Sequence, residues 1–336
     1  MSAVAVDLGG TFLRCAITSD SGMVTDIVTR RIGRDPRSRM TATLWDQLFD
    51  QIEDFAGAAH AGLGPADPIA LAFPGPIADH ARIVGAPTVV GPAVEMPNVV
   101  QILRKRTGRP VYVLNDLSAA AWNYLDVERA SRFMVITVSS GIGSKLVDRR
   151  HPDRVLDAWA YAGEIGHIVV DTSDEAPVCD CGGRGHLGAI ASGRGTENLA
   201  RRMSLLDPGP FERSLCVTSF GATRDRLTNE EHLVPAALSG DAWTWEVISK
   251  AQAPLAQVLA TAIVAASLER VLIIGGFAAA LGDGYVNSLR DAVWAKIIPG
   301  LIHIRIDEVI MLGQSAGEAC LRGAGLFAAS LTRAAH

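Results

Sequence analysis

A chain of 336 residues, 49% hydrophobic and 20% charged, is too long for one hydrophobic core and apolar enough to build two, so two lobes are expected. Its net charge of -5 argues against the clustered Lys/Arg face of a nucleic-acid binder, and the one basic run, Arg30 to Arg39, is broken by Gly33, Asp35 and Pro36 as a solvated loop would be. Of five cysteines, Cys15, Cys216 and Cys320 are scattered without framework spacing, which fits a reduced, cytoplasmic setting, and neither an N-terminal leader nor an apolar run of membrane-spanning length is expected.

The chain opens on a short apolar strand, Ala3 to Val6, followed by Asp7-Leu-Gly9-Gly10-Thr11 and a second strand, Leu13 to Thr18. Gly9, Gly10 and Thr11 offer backbone N–H groups and a hydroxyl to phosphate oxygens, and Asp7 suits a Mg2+ riding on them. A Gly-Gly turn alone would be only a turn; the carboxylate ending an apolar strand is what marks it. Ala42 to Ala61 has a helical period through Leu44, Leu48, Ile52 and Phe55. Pro68 to Phe73 predicts a strand ending in the rigid loop Pro74-Gly75-Pro76, Val99 to Arg106 a helix, and Val111 to Leu114 a strand.

Asn115-Asp116 then precede an Ala-rich helix, Leu117 to Tyr124. A carboxylate at a strand's carboxyl end can act as general base on a hydroxyl in a cleft. The competing reading is an N-cap for the helix, which Asp also favours and which local sequence alone makes the commoner choice.

Phe133 to Val138, the turn Ser139-Ser140-Gly141-Ile142-Gly143-Ser144 and the run Lys145 to Val147 repeat the N-terminal arrangement of strand, glycine turn, strand. Two such turns would give each lobe its own contact with a polyphosphate. In the Gly-rich stretch Ala162 to Gly195, Glu164 and His167 are followed by Cys179-x-Cys181-Gly182-x-x-Gly185-His186. Cys179, Cys181, His186 and His167 supply the four N or S ligands of a closed, structural zinc, which would brace the segment carrying Glu164. A lone Cys-x-Cys would mean only free thiols. Thr196 to Met203 reads as a helix, while 204–231 is polar and irregular, without an assignable role. Ala251 to Leu268 predicts a buried helix, and Val271 to Ile274 a strand ending in Gly275-Gly276, which admits either a flat adenine ring or simple close packing. Ile304 to Leu312 is strand-like, and Gln314 to Ala329 a small-residue helix.

Taken in order, Asp7-Leu-Gly-Gly-Thr11, Leu114-Asn115-Asp116, Gly141-x-Gly143, Gly163-Glu164-Ile165-Gly166-His167, Cys179-x-Cys181-Gly182-x-x-Gly185 and Ile274-Gly275-Gly276 resemble ROK-family sugar kinases over nearly the whole chain. The resemblance implies an α/β fold, a two-lobed actin-like ATPase of RNase-H type, with residues 1–116 plus 315–336 in one lobe and 117–314 in the other. It implies transfer of the ATP γ-phosphoryl to a hexose or aminohexose, usually at O6, with Mg2+ and a structural Zn2+. By the same resemblance Asp116 is the base, Asn115, Glu164 and His167 hold the sugar, and Gly75 and Asn98 line its pocket. Asp7, Gly9, Gly10, Thr11, Ser140, Gly141 and Gly143 would handle Mg-ATP, with Gly275 and Gly276 near the adenosine. A cytoplasmic homodimer is implied, with sugar and ATP as small-molecule partners and neither nucleic acid nor membrane. Both readings converge on Asp116, which favours base over cap.

Two departures carry information. Where the family loop commonly ends Cys-x-Glu, this chain has His186-Leu187-Gly188, so zinc ligation survives but a Glu that touches the sugar near its anomeric end does not. The expected substrate is therefore glucose or an amino sugar such as glucosamine, N-acetylmannosamine or kanosamine. Ser139-Ser140 replaces a common Gly-Thr and keeps a hydroxyl at Ser140. The rival readings are a sugar-responsive regulator, for which no helix-turn-helix is expected ahead of Asp7, a sugar-binding sensor without kinase activity, which Asp116 argues against, and a polyphosphate-dependent glucokinase.

Overall fold

The computed structural model describes residues 2–9, 11–32, 40–58, 60–85, 96–297, 305–313 and 318–334. The chain divides into two compact units, residues 1–129, 147–162 and 316–336 in the first and residues 130–146 and 163–315 in the second. The sequence reading placed residues 117–129 and 147–162 with the second lobe; they belong with the first. For the helix Asp116–Val127 the reason is packing against the helix Ala319–Ala334. At Gly323 the approach is so close that a Cβ would lie 1.7 Å from the Ala119 carbonyl oxygen.

The first unit is built on strands β1 (Ser2–Leu8), β2 (Phe12–Ser19), β3 (Val24–Arg31), β4 (Ile69–Phe73), a small hairpin β5 (Ile77–Ala78) and β6 (Arg82–Ile83), and β7 (Val111–Asn115). The sheet order is β3-β2-β1-β4-β7, antiparallel from β3 to β1 and parallel from β1 to β7. All five residues of β4 are buried, which explains its unbroken apolar run: a parallel central strand is covered on both faces. Register then aligns the carboxyl ends. Asp7 stands level with Ala72, and Phe73 with Asn115, so β1 and β7 deliver Asp7 and Asp116 to the same edge. Strand β3 was not expected, and seven of its eight residues are exposed.

The second unit holds β8 (Arg132–Val138), most of β9 (Ile142–Asp148), β10 (Arg270–Ile274) and β11 (Ile310–Leu312) in the order β11-β10-β8-β9. Strand β10 runs parallel to both β8 and β11, with Ile274 opposite Thr137. The helix Ala242–Ala266 is long and apolar enough to cross a bilayer by length and composition, but half of its apolar stretch is buried, with Leu255 and Leu259 packed into the same core as Ile136 and Ile273. The last strand is shorter than read, a helical turn at Ile306–Val309 preceding β11.

Residues 204–231 are not irregular. They form the helices Pro208–Arg213 and Leu215–Thr218, a 3-10 turn at Arg224–Arg226 and the start of a π-helical turn, Asn229–Leu233. Proline suits the first turn of a helix because its missing N–H is unpaired there anyway, which places Pro208 at such a start. The Asp241 carboxylate binds the segment to the long helix, accepting from the Leu215 N–H (2.8 Å) and the Thr244 N–H (2.8 Å). Phe211, Cys216, Leu227, Leu233 and Trp243 close a small core of their own.

Candidate active site

In the first unit the helix Asp116–Val127 is capped by Asn115, not by Asp116. The Asn115 Oδ1 accepts from the N–H groups of Leu117 (2.9 Å) and Ser118 (3.3 Å). Its Nδ2 donates to the Gly75 carbonyl (2.9 Å), so Asn115, Asp116 and the Pro74-Gly75-Pro76 loop come together at the end of β7. Asp116 is half-buried, its Oδ1 also accepting from the Leu117 N–H (2.8 Å). The helix already has its cap, so capping does not account for an acid at 116.

Burial pushes the Asp7 carboxyl up to about 6; the Arg14 guanidinium, 3.3 Å from Oδ2, pulls the other way, and the Asp116 charge adds to the rise. Two carboxylates near one another, only partly offset by one guanidinium, favour a bound cation. The linkage has a definite sign. A raised folded pKa means this group's stabilising contribution is complete below about pH 4 and lost as pH rises to about 6. Asp7→Asn is therefore expected to raise the unfolding midpoint at pH 8, by the equivalent of about 3 kcal/mol with the Arg14 attraction already included, and with little gain at pH 4. Thermal melts at the two pH values check this; a gain larger at pH 4 than at pH 8 contradicts it.

Of the remaining first-unit residues, the Gly9 N–H donates to the Phe12 carbonyl (3.0 Å) in the β1–β2 turn, and Thr11 is exposed. Gly10 lies outside the described residues. Asn98 is exposed and caps the helix Val99–Thr107 through the Gln101 N–H (3.0 Å). Sequence reasoning missed Cys320, whose Sγ lies 3.5 Å from the Asp116 carbonyl oxygen. Burial, with the Asp7 and Asp116 charges behind it, holds its thiol well above the ordinary range. A lone Cys in a small-residue run gives no signal of this.

In the second unit, Gly163 has φ 83°, and a Cβ there would lie 1.8 Å from the Ser144 carbonyl oxygen. The Ser144 N–H and Oγ–H both donate to the Gly163 carbonyl (2.9 and 3.1 Å), which seats the next residue, Glu164, directly on β9. Only glycine permits that approach. Glu164 opens the 3-10 turn Ile165–His167, and its Oε2 is 3.9 Å from His167 Nε2. The other ring nitrogen, Nδ1, is 3.7 Å from Cys179 Sγ, while Cys181 Sγ is 3.2 Å from His186 Nδ1. All four donor atoms lie within 4.8 Å of one another. Tetrahedral zinc with ordinary Zn–S and Zn–N bonds sets S and N about 3.6 Å apart, so the donors fit that ion.

The glycine turns of this unit meet at the ends of parallel β8 and β10. Ser140 and Gly141 are exposed, a Cβ on Gly141 would meet nothing within 4 Å, and Gly143 lies in β9 just after the turn. Gly275, with φ 103°, would set a Cβ 2.6 Å from Thr137 Oγ1 and the Val138 carbonyl oxygen, so close packing accounts for it. Gly276 is different: its Cβ would be at 3.7 Å from Ser139 Oγ, an ordinary contact, so packing does not demand a glycine. Gly193, overlooked in the sequence, joins them, its N–H donating to the Ser139 carbonyl (2.7 Å).

Residues 3–330 match the ROK family. A C(7)-cyclitol 7-kinase of Streptomyces hygroscopicus subsp. jinggangensis is 37% identical over 335 residues, covering 97% of this chain and 93% of that one. Among solved structures, a ROK hexokinase from Thermus thermophilus superposes with a TM-score of 0.74 at 26% identity over the whole of both chains. A ROK-family glucokinase from Streptomyces griseus, in complex with glucose and AMPPNP, does so with a TM-score of 0.73 at 21% identity, covering 97% of this chain and 98% of that one. The fold is thus the two-lobed actin-like α/β fold of these kinases.

Proposed function

The chain belongs to the ROK family, and from that premise we propose that it is a kinase moving the γ-phosphoryl group of ATP onto the primary hydroxyl of a C7-cyclitol, with hexoses and aminohexoses as poorer acceptors. The observation that carries the reading is Asp116 itself: an acid at the end of β7, beside Asp7, on a helix that Asn115 already caps.

Asp116 accepts the proton of the attacking hydroxyl and orients its oxygen toward the phosphorus. Asn115, held by Gly75, has a second Nδ2–H for the substrate. Glu164 and His167 hold other ring hydroxyls. His167 Nδ1, Cys179, Cys181 and His186 would hold zinc, which leaves His167 Nε2 for the substrate side. Asp7 is placed to hold Mg2+, which when bound offsets charge on the transferred phosphoryl group. Gly9 and Thr11 in the first unit, and Ser140, Gly141 and Gly143 in the second, each offer their own donors to phosphate oxygens, with Gly276 for the adenosine.

A C7-cyclitol presents the same exocyclic CH2OH as a hexose, but on a ring without a ring oxygen or an anomeric centre. That suits a pocket whose Gly188 replaces the Glu found near the anomeric end in ROK kinases. The backbone there is drawn in, a Cβ on Gly188 lying 3.1 Å from the Gly166 carbonyl oxygen. A coupled ATP-to-ADP assay against a C7-cyclitol, glucose, kanosamine and N-acetylmannosamine, with polyphosphate as a parallel donor, is expected to give a kcat/KM at least about tenfold higher for the cyclitol than for glucose. Preference for glucose overturns the cyclitol assignment. Acceptor binding without turnover would make the protein a sensor.

A further inference from the structure

The end of the 204–231 segment brings an unexplained side chain to the nucleotide turns. Asn229 opens the π-helical turn Asn229–Leu233, a backbone form common at functional sites, and only 9% of it is exposed. Its backbone N–H donates to Glu197 Oε2 (3.0 Å), and its Nδ2 donates to the Gly193 carbonyl (2.8 Å). The bond to Gly193 fixes the amide's orientation, because the flipped amide would set two acceptors against each other. Its Oδ1 is buried and has no hydrogen-bond partner among the described residues. Buried acceptors are nearly always satisfied, so one left open points to a donor from outside the chain.

The neighbourhood identifies that donor. Gly193 donates to the Ser139 carbonyl at the β8 turn, and a Cβ on Gly193 would lie 3.0 Å from both Phe277 and the Ser139 carbonyl oxygen. Phe277 directly follows Gly275-Gly276. Asn229 is thus linked through Gly193 by hydrogen bonds to the Ser139 turn, and Gly193 in turn packs near Phe277 beside the Gly275-Gly276 turn, the two turns proposed to receive the nucleotide. An amide oxygen repels phosphate, so the ligand atom is an N–H or O–H of the nucleoside. The buried Phe277 ring against Gly193 makes this an apolar neighbourhood, which suits a flat base better than a hydrated ribose.

We propose that Asn229 Oδ1 accepts a hydrogen bond from the exocyclic 6-amino group of the donor's adenine and so selects ATP over 6-oxopurine nucleotides. This deepens the kinase reading and rests on Gly276 and Ser139 lying at the nucleoside end of that site. Guanine and hypoxanthine place a carbonyl oxygen where adenine places its amine, so they would set acceptor against acceptor.

The test compares kcat/KM of the full chain for ATP, ITP and 2′-deoxy-ATP in the parent, Asn229→Leu and Asn229→Asp, with ADP and IDP titrated into each by calorimetry. The parent is expected to prefer ATP over ITP at least about tenfold. Asn229→Leu should bring that ratio near one by losing ATP efficiency while ITP changes little. Asn229→Asp keeps an acceptor and should keep the preference, although both nucleotides weaken as the Gly193 carbonyl loses its donor. An ATP/ITP ratio unchanged in Asn229→Leu, with both falling together, overturns the proposal and leaves a structural role. A defect in Asn229→Leu that vanishes with 2′-deoxy-ATP overturns it in favour of ribose. Should the Leu variant fail to fold, Asn229→Ser is read on the same ratios. A parent without turnover defeats the kinase reading alone, and the ADP/IDP titrations then decide the proposal.

Discussion

Asp116→Asn is expected to lower kcat by about 10²–10⁴-fold, the range a positioned general base supplies, while acceptor and nucleotide still bind. The variant separates chemistry from folding unusually well. Asn keeps the size of Asp and an oxygen for the Leu117 N–H, and the helix cap resides in Asn115, so the melting temperature should change little. One further readout follows from the electrostatics. With the Asp116 charge gone, a contribution that raises Asp7 disappears, so Asp7 should titrate closer to an ordinary carboxyl. An Asp116→Asn enzyme retaining most of its kcat would remove Asp116 as the base. A large fall in melting temperature would instead return it to a structural role.

The second large effect is expected at the metal. Cys181→Ser, or prolonged chelation of the parent, should abolish stoichiometric zinc, loosen the Cys179–His186 loop and lower kcat/KM by at least tenfold, about what losing a group that orients a metal-bound histidine costs. The effect reaches the substrate through His167, whose two ring nitrogens face Cys179 and Glu164. Unit two has separate cores around Leu255 and around Phe211, so the variant should remain folded elsewhere. Zinc content by plasma mass spectrometry and acceptor KM are the two measurements. One zinc per chain retained in Cys181→Ser would refute the ligand set, and full activity without metal would refute the brace.

Much of this was legible in the sequence because it is written at strand ends. Apolar strands that stop in a carboxylate or a glycine pair need no packing information to be noticed, and the metal donors crowd one loop. What was not legible depends on partners distant in sequence. β3 is exposed along nearly its whole length and exists because β2 offers an edge. The 204–231 segment folds around Asp241 and Trp243, so its own pattern shows little periodicity. Asn115 and Asp116 are both good cap residues, and only the backbone turn at 115 decides between them. The membership of the helix Asp116–Val127 was misread for the same reason, since the contact at Gly323 that draws it to the first unit comes some 200 residues later.

The central claim is phosphoryl transfer to a primary hydroxyl. Proton-coupled 31P NMR of the product formed from ATP and a C7-cyclitol tests it directly, because phosphorus on a CH2–O group couples to two protons and on a CH–O group to one. The account predicts a phosphomonoester triplet that grows with ADP, and that grows at least about 10²-fold more slowly with Asp116→Asn. A doublet would place the phosphate on a ring hydroxyl, and inorganic phosphate alone would mean that no acceptor is phosphorylated; either result contradicts the account.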